Sequence, residues 1–179
     1  AKDNLPFAGG YIHLNYQDSA KNLVHAIKFK DRPHLGIWAG SQMGQAIAQA
    51  SWINAVDLII PVPLHPNRLA ERGYNQSEQL ARGICEGLSQ NNHSAPELAT
   101  AILVRDRDTP HQLGQGREER LRNLTGAFTV EQIETIQQKT ILLVDDVLTT
   151  GATLAECAAT LLEAGAAQVC IASLAAVSE

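Results

Sequence analysis

Apolar positions along this chain follow two rhythms, short unbroken runs and stripes at helical spacing, and the two alternate. Ile141 to Val144 is an unbroken run of β-formers, as expected of a strand buried on both faces of a parallel sheet. Beyond it Leu154, Cys157, Ala158 and Leu161 form one helical stripe, with Glu156, Thr160 and Glu163 opposite. Asp57 to Pro63 predicts a second buried strand, stopped by proline, and a helix carrying Leu80, Ile84 and Leu88 follows after a loop. Upstream, Gly10 to Tyr16 alternates loosely as a strand would. Asp18 or Ser19 then caps a helix with Leu23, Ala26 and Ile27 on its apolar face, and Pro33 marks its end. A second helix runs from about His34 to Ser51, with Leu35, Trp38, Met43 and Ile47 on or near one side. A strand over 100–105, a helix over 117–124, a short strand over 127–130 and a last buried strand over 168–177 complete the pattern.

Helices alternating with apolar strands predict an α/β fold, a mostly parallel sheet flanked by helices. The 179 residues suit a single domain spanning 1–179 with a proper core. Ligands of such sheets bind beyond the strand C-termini. Strands ending near Val62, Arg105 and Val144 are expected to bring charged or hydroxyl-rich loops to that edge.

The loop after the Ile141 strand carries the chemistry. Asp145 and Asp146 stand where the apolar run ends, and Val147-Leu148-Thr149-Thr150-Gly151-Ala152-Thr153 turns the chain into a helix. A helix N-terminus presents unpaired N–H groups and a positive dipole end, so this turn can hold a phosphate. Gly151 lets backbone come close, and the threonine hydroxyls add donors. Two carboxylates beside a phosphate would repel it unless they accept hydrogen bonds from vicinal hydroxyls or face a divalent cation. A sugar phosphate satisfies both halves of the loop. The plainer alternative is an acidic pair ending a strand, followed by a threonine N-cap.

The stretch Val144 to Thr153 resembles the phosphoribosyl pyrophosphate loop of type I phosphoribosyltransferases. Further matches fall in the order seen in the ComF/GntX group of that family: Pro61-Val-Pro-Leu-His65, Arg68, Arg72-Gly-Tyr-Asn-Gln76, Arg105, Thr109-x-x-Gln112, Arg120 and Asn123 to Phe128. The resemblance spans roughly residues 20 to 175 and implies a type I phosphoribosyltransferase-like fold. It implies that Asp145 and Asp146 are the catalytic acid pair that grips the ribose hydroxyls, that Thr149, Thr150, Gly151, Ala152 and Thr153 cradle the 5-phosphate, and that Val147 and Leu148 between them also belong to the substrate-binding loop. By the same resemblance Arg68, Arg72, Asn75 and Gln76 serve the pyrophosphate, with Arg105 also on the substrate, and Thr109 and Gln112 belong to a flexible loop over 106–116. Magnesium is expected to arrive with the sugar diphosphate and not through direct protein ligands. Asn75 or Gln76 capping the next helix, and Thr109 starting a turn at Pro110, are the structural alternatives. Members of the group often carry an N-terminal four-cysteine zinc module. This chain has no cysteine before Cys85, so roles that depend on that module are not carried over. With Glu179 following soon after the last strand, acceptor recognition is expected from the N-terminal segment, from a partner (another protein or a second copy of the chain), or from nowhere.

Charge sharpens this picture. A net charge of −5 and only 4% aromatic residues argue against a general nucleic-acid binder. Eight of the nine arginines nevertheless fall between Arg68 and Arg122, a segment without lysine, and arginine suits bidentate contacts to phosphate. Eight acidic residues share the segment, so part of it is a paired, solvated face. The competence association of the ComF/GntX group implies a role in competence and DNA uptake and suggests single-stranded DNA handling, which the arginine-rich middle with Tyr74 nearby favours. This, or sensing of the sugar phosphate without catalysis, stands beside transferase activity. Cys85, Cys157 and Cys170 show no metal-ligand spacing and are expected reduced and buried. No apolar stretch approaches a membrane span and no signal-peptide core opens the chain, so a cytoplasmic location is expected.

Overall fold

The computed structural model describes residues 6–29, 32–106 and 126–177. Strand β1 (Gly9–Asn15) leads into helices α1 (Asp18–Phe29) and α2 (Pro33–Ile47), and a 3-10 turn (Ser51–Ala55) precedes β2 (Leu58–Pro61). Helices α3 (Pro66–Arg72) and α4 (Gln76–Gln90) follow, then the short strands β3 (Glu97–Leu98) and β4 (Leu103–Arg105). The chain continues through β5 (Phe128–Val130), α5 (Ile133–Ile136), β6 (Thr140–Leu148), α6 (Ala152–Glu163) and β7 (Gln168–Ala176).

Five strands form one sheet in the order β1-β7-β6-β2-β3, and its neighbouring strands pair in parallel. From β2 the chain moves outward to β3, whereas from β6 it moves the other way to β7. The crevice between the C-terminal ends of β2 and β6 is thus the topological switch point, where sheets of this kind take their ligands.

Strand alternation divides the core in two. Leu142, Val144, Ala172 and Leu174 pack with α1, α2 and α4 on one face; Ile141, Leu143, Val169 and Ile171 pack with α6 on the other. The stripe Leu154, Cys157, Ala158, Leu161 is buried as its spacing predicts. Full burial of leucines such as Leu154 and Leu161 contributes about 1.5–3 kcal/mol each.

Three expectations are corrected. The strand over 100–105 is not in the main sheet: β4 pairs antiparallel with β5, so Arg105 does not end a strand of the parallel edge. Part of the loop between Leu64 and Gln76 is helix α3, opened by Pro66 at its first turn, with His65 Nδ1 accepting the Asn67 amide proton at 3.2 Å. Trp38 is 57% exposed, not on the packed side of its helix. Among the described residues no helix is long and apolar enough to cross a membrane. The expected lid over 106–116 and helix over 117–124 lie outside the described residues, apart from Asp106.

The reason Trp38 is outside is that α2 meets α4 through glycine. A Cβ on Gly40 would stand 2.1 Å from the Leu80 carbonyl oxygen, and one on Gly44 2.4 Å from that of Ile84. Reciprocally, a Cβ on Gly83 would stand 2.0 Å from the Ile37 oxygen and one on Gly87 2.2 Å from that of Ser41. The two backbones touch, so the contact face is defined by missing side chains. Gly40→Val and Gly83→Val are each expected to destabilise the fold by about 1–3 kcal/mol or more in urea unfolding. Gly9→Ala, whose Cβ would meet nothing nearer than Cys170 Sγ at 3.8 Å, should cost under about 0.5 kcal/mol.

Candidate functional site

Strand β6 does not end at the acid pair. Beyond Val144, which pairs with Pro61 at the end of β2, β6 continues beside β7 alone, with Asp145 opposite Ser173 and Val147 opposite Ala175. Asp145 and Asp146 therefore sit inside the strand, and its period of two gives them opposite faces. Asp146 shares the face of Leu142 and Val144; Asp145 shares that of Ile141 and Leu143. Both are nearly buried, at 8% and 5% exposure.

Each carboxylate is held by one oxygen. Asp145 Oδ1 accepts the Ser77 hydroxyl at 3.1 Å and the Asp146 amide at 2.9 Å. Lys28 Nζ lies 2.8 Å from Asp146 Oδ2, an ion pair that falls short of hydrogen-bond alignment. No described residue donates to Asp145 Oδ2 or Asp146 Oδ1, and neither atom is sealed from solvent. The pair thus keeps one unspent acceptor on each side chain.

Burial, and then the neighbouring Asp146 charge, push the Asp145 carboxyl up to about 7; the Asp146 amide, Lys28 and the Ser77 hydroxyl pull the other way. Burial, with Asp145 second, likewise raises the Cys157 thiol well above its usual value, which keeps it protonated and inert. Cys157 and Cys170 are buried as expected, Cys85 half-buried, and all three are free thiols.

After Leu148 the chain turns through Thr149, which is exposed, and Thr150 into α6. Gly151 occupies the N-cap position with φ 78°, a left-handed conformation that glycine adopts without strain, and no side chain caps the helix. The Thr150 hydroxyl receives only a long bond, 3.4 Å, from the Ala152 amide. The threonine N-cap alternative is not what forms. Val147, Leu148, Thr150, Gly151 and Thr153 are half-buried around the turn, and Ala152 is buried.

The α3–α4 corner supplies the other wall. Arg72 Nη1 donates to Gln76 Oε1, and its guanidinium lies 5.4 Å from the Phe29 ring centre. Burial lowers the Arg72 guanidinium from its ordinary value while the Asp146 charge opposes that shift. Asn75 caps α4, its Oδ1 accepting the Ser77 amide and its Nδ2 donating to the Val62 carbonyl, both at 3.0 Å. The capping role weighed for Asn75 is therefore the one observed; it binds α4 to the end of β2. Arg68 is half-buried on α3, close enough for its charge to act on Arg72. Arg105 lies on β4, 5.6 Å from the Phe128 ring centre and close enough for its charge to act on Cys157. Thr109 and Gln112 lie outside the described residues. Sequence reasoning missed Lys28 and Ser77, since neither belongs to a local motif; each reaches the acid pair from a distant helix.

A switch-point crevice with an acid pair on one strand and an uncapped, hydroxyl-rich turn after it is the design of a type I phosphoribosyltransferase-like domain. A family model described as phosphoribosyl transferase domain matches residues 70–179, and the chain belongs to that family. It is 35% identical over 158 residues to the DNA utilization protein YhgH of Salmonella typhimurium, covering 87% of this chain and 66% of that one. It is 29% identical over 171 residues to Competence protein F of Haemophilus influenzae, covering 93% of this chain and 70% of the relative. These relatives agree with the ComF-group resemblance, and the chain spans about two thirds of their length. Among solved structures, a glutamine phosphoribosylpyrophosphate amidotransferase from B. subtilis shares the fold, with a TM-score of 0.52 and 18% identity over 84% of this chain and 30% of that one.

Asp145 keeps its proton up to about pH 7 when folded and loses it near pH 4 when unfolded, so stability falls as pH rises through that window. Asp145→Asn removes this loss. Thermal melts should show the variant gaining several degrees over the parent chain above about pH 7, with the gain fading toward about pH 5. An equal difference at both ends of the range would mean that the carboxylate is not strained by burial.

Proposed function

We propose that this chain binds phosphoribosyl pyrophosphate at the β2–β6 crevice and transfers the phosphoribosyl group to an acceptor. The observation that carries this reading is the pair of unspent oxygens, Asp145 Oδ2 and Asp146 Oδ1, beside an uncapped turn. Two vicinal ribose hydroxyls would each donate to one of them, and the 5-phosphate would take the amides and hydroxyls of Thr149 to Thr153. Arg72, with Arg68 beside it, would meet the diphosphate. The acceptor's nucleophile then forms a bond to C1 of the sugar as the C1–oxygen bond to pyrophosphate breaks, and the leaving group carries away the electron pair. The chain's part is positioning and charge.

The side chains present do not suit a directly held magnesium ion. Lys28 already meets Asp146 Oδ2, two donors already meet Asp145 Oδ1, and the described residues contain no group of three His, Cys, Asp or Glu able to hold a metal. In this reading magnesium comes on the diphosphate.

A second reading draws on the names of the relatives. A DNA utilization protein and a competence protein suggest a role in DNA handling, in which the same site senses the sugar phosphate or the chain takes up single-stranded DNA. Phe29, 64% exposed beneath the Arg72 guanidinium, is the surface that favours it.

Calorimetry with phosphoribosyl pyrophosphate and Mg²⁺ tests the first reading. The double variant Asp145→Asn, Asp146→Asn should bind at least about 100-fold more weakly, with an unchanged circular dichroism spectrum. Undiminished affinity would reject the assignment. Pyrophosphate release on adding a metabolite mixture separates a transferase from a sensor. A labelled single strand whose affinity falls steeply with salt, and further with Arg72→Ala, would instead favour the DNA reading.

A further inference from the structure

The matched transferase domain begins at residue 70, yet the cation at its acid pair comes from far upstream. The last turn of α1 is fastened over the crevice at three consecutive residues. The Ile27 carbonyl accepts the Tyr74 hydroxyl, Lys28 Nζ meets Asp146 Oδ2, and the Phe29 ring lies under Arg72. Ile27 itself is 1% exposed and anchors the turn in the core. Lys28 is therefore held in place, at 25% side-chain exposure against 7% for its partner, unlike a surface lysine free to sample solvent.

We propose that Lys28 is a positioning residue of the sugar-phosphate site, its ammonium pinning Asp146 Oδ2 so that Oδ1 stays available, beside Asp145 Oδ2, for two vicinal hydroxyls of the ligand. This rests on the reading of the site given above. The physical need is plain: two adjacent, nearly buried carboxylates cannot both stay ionised without a cation. Other charged or titratable groups face the pair from every side. Arg72 acts from α3, Cys157 stays a protonated thiol on α6, and Arg105 on β4 acts on that thiol; Ser77 on α4 adds an uncharged donor. Among the described residues only Lys28 makes an ion pair with either carboxylate. The N-terminal segment thereby completes a site whose recognised loop lies more than a hundred residues away.

Calorimetry on the full chain with phosphoribosyl pyrophosphate and Mg²⁺, from about pH 6 to about pH 9, distinguishes this from a merely structural ion pair. In Lys28→Met the pH at which affinity is half-maximal should move up by about one unit or more, with affinity near pH 7 falling about tenfold; Lys28→Arg should restore most of both. An affinity loss equal at every pH, or a midpoint that stays put, would overturn the proposal. Should Lys28→Met fail to fold, the side-chain nitrogen resonance of Lys28 in the parent chain decides. It should titrate with the acid pair and move when the sugar diphosphate is added, and a resonance indifferent to both rejects the role. Failure of the parent chain to bind at any pH would instead reject the functional reading itself.

Discussion

From Asp145 to Leu148, strand β6 is paired on one side only, because β2 stops at Pro61 while β7 keeps pace to Ala176. This difference in strand length opens the crevice. It also explains why two carboxylates can stand within a strand whose preceding residues are wholly buried. On the unpaired side there is no neighbouring backbone to exclude a ligand, and Ser77 from α4 can reach the Asp145 carboxylate there. The burial that this position imposes is costly for charge, and the cost shows in the raised Asp145 carboxyl. Carboxyls perturbed in this way cluster at functional sites.

The glycine contact between α2 and α4 serves the same end from behind. With Gly40 and Gly44 against the backbone of α4, and Gly83 and Gly87 against that of α2, the two helices share one fixed distance. Substituting a larger residue would have to move one of them. Because α4 begins at Gln76, its placement also fixes Asn75, Gln76 and Ser77, which tie Val62, Arg72 and Asp145 into one corner. Close packing on the covered face of the sheet thus sets geometry at its open end.

The family model covers the second half of this design, and the relatives extend upstream of it. The matched domain holds α4, β6 and α6, whereas Lys28, Ile27 and Phe29 come from a helix upstream of it. The fold likeness to an amidotransferase at 18% identity concerns architecture alone. The N-terminal helix meets the acid pair through one ion pair and the adjoining α3–α4 corner through one hydrogen bond and one ring contact.

Much of this was legible in the order of residues. Ile141 to Val144, the Leu154 stripe and the Asp57 run announce their elements because buried strands and one-sided helices need those spacings, whatever packs against them. The acid pair and the turn at Gly151 were legible because a strand running into a glycine-led helix start is a local device, built from neighbours in sequence. Other features depended on contacts between distant segments. That β6 outruns β2, that Asp145 and Asp146 take opposite faces, and that β4 leaves the main sheet are matters of pairing partners. The glycine face of α2 was written in the i, i+4 spacing of Gly36, Gly40 and Gly44, but glycine weakens an isolated helix and gains meaning only when a second helix lies against it. Lys28 carries no local sign at all. Its role arises because folding brings an ammonium to a carboxylate 118 residues away, and only the assembled chain supplies the buried, low-dielectric setting in which that charge matters.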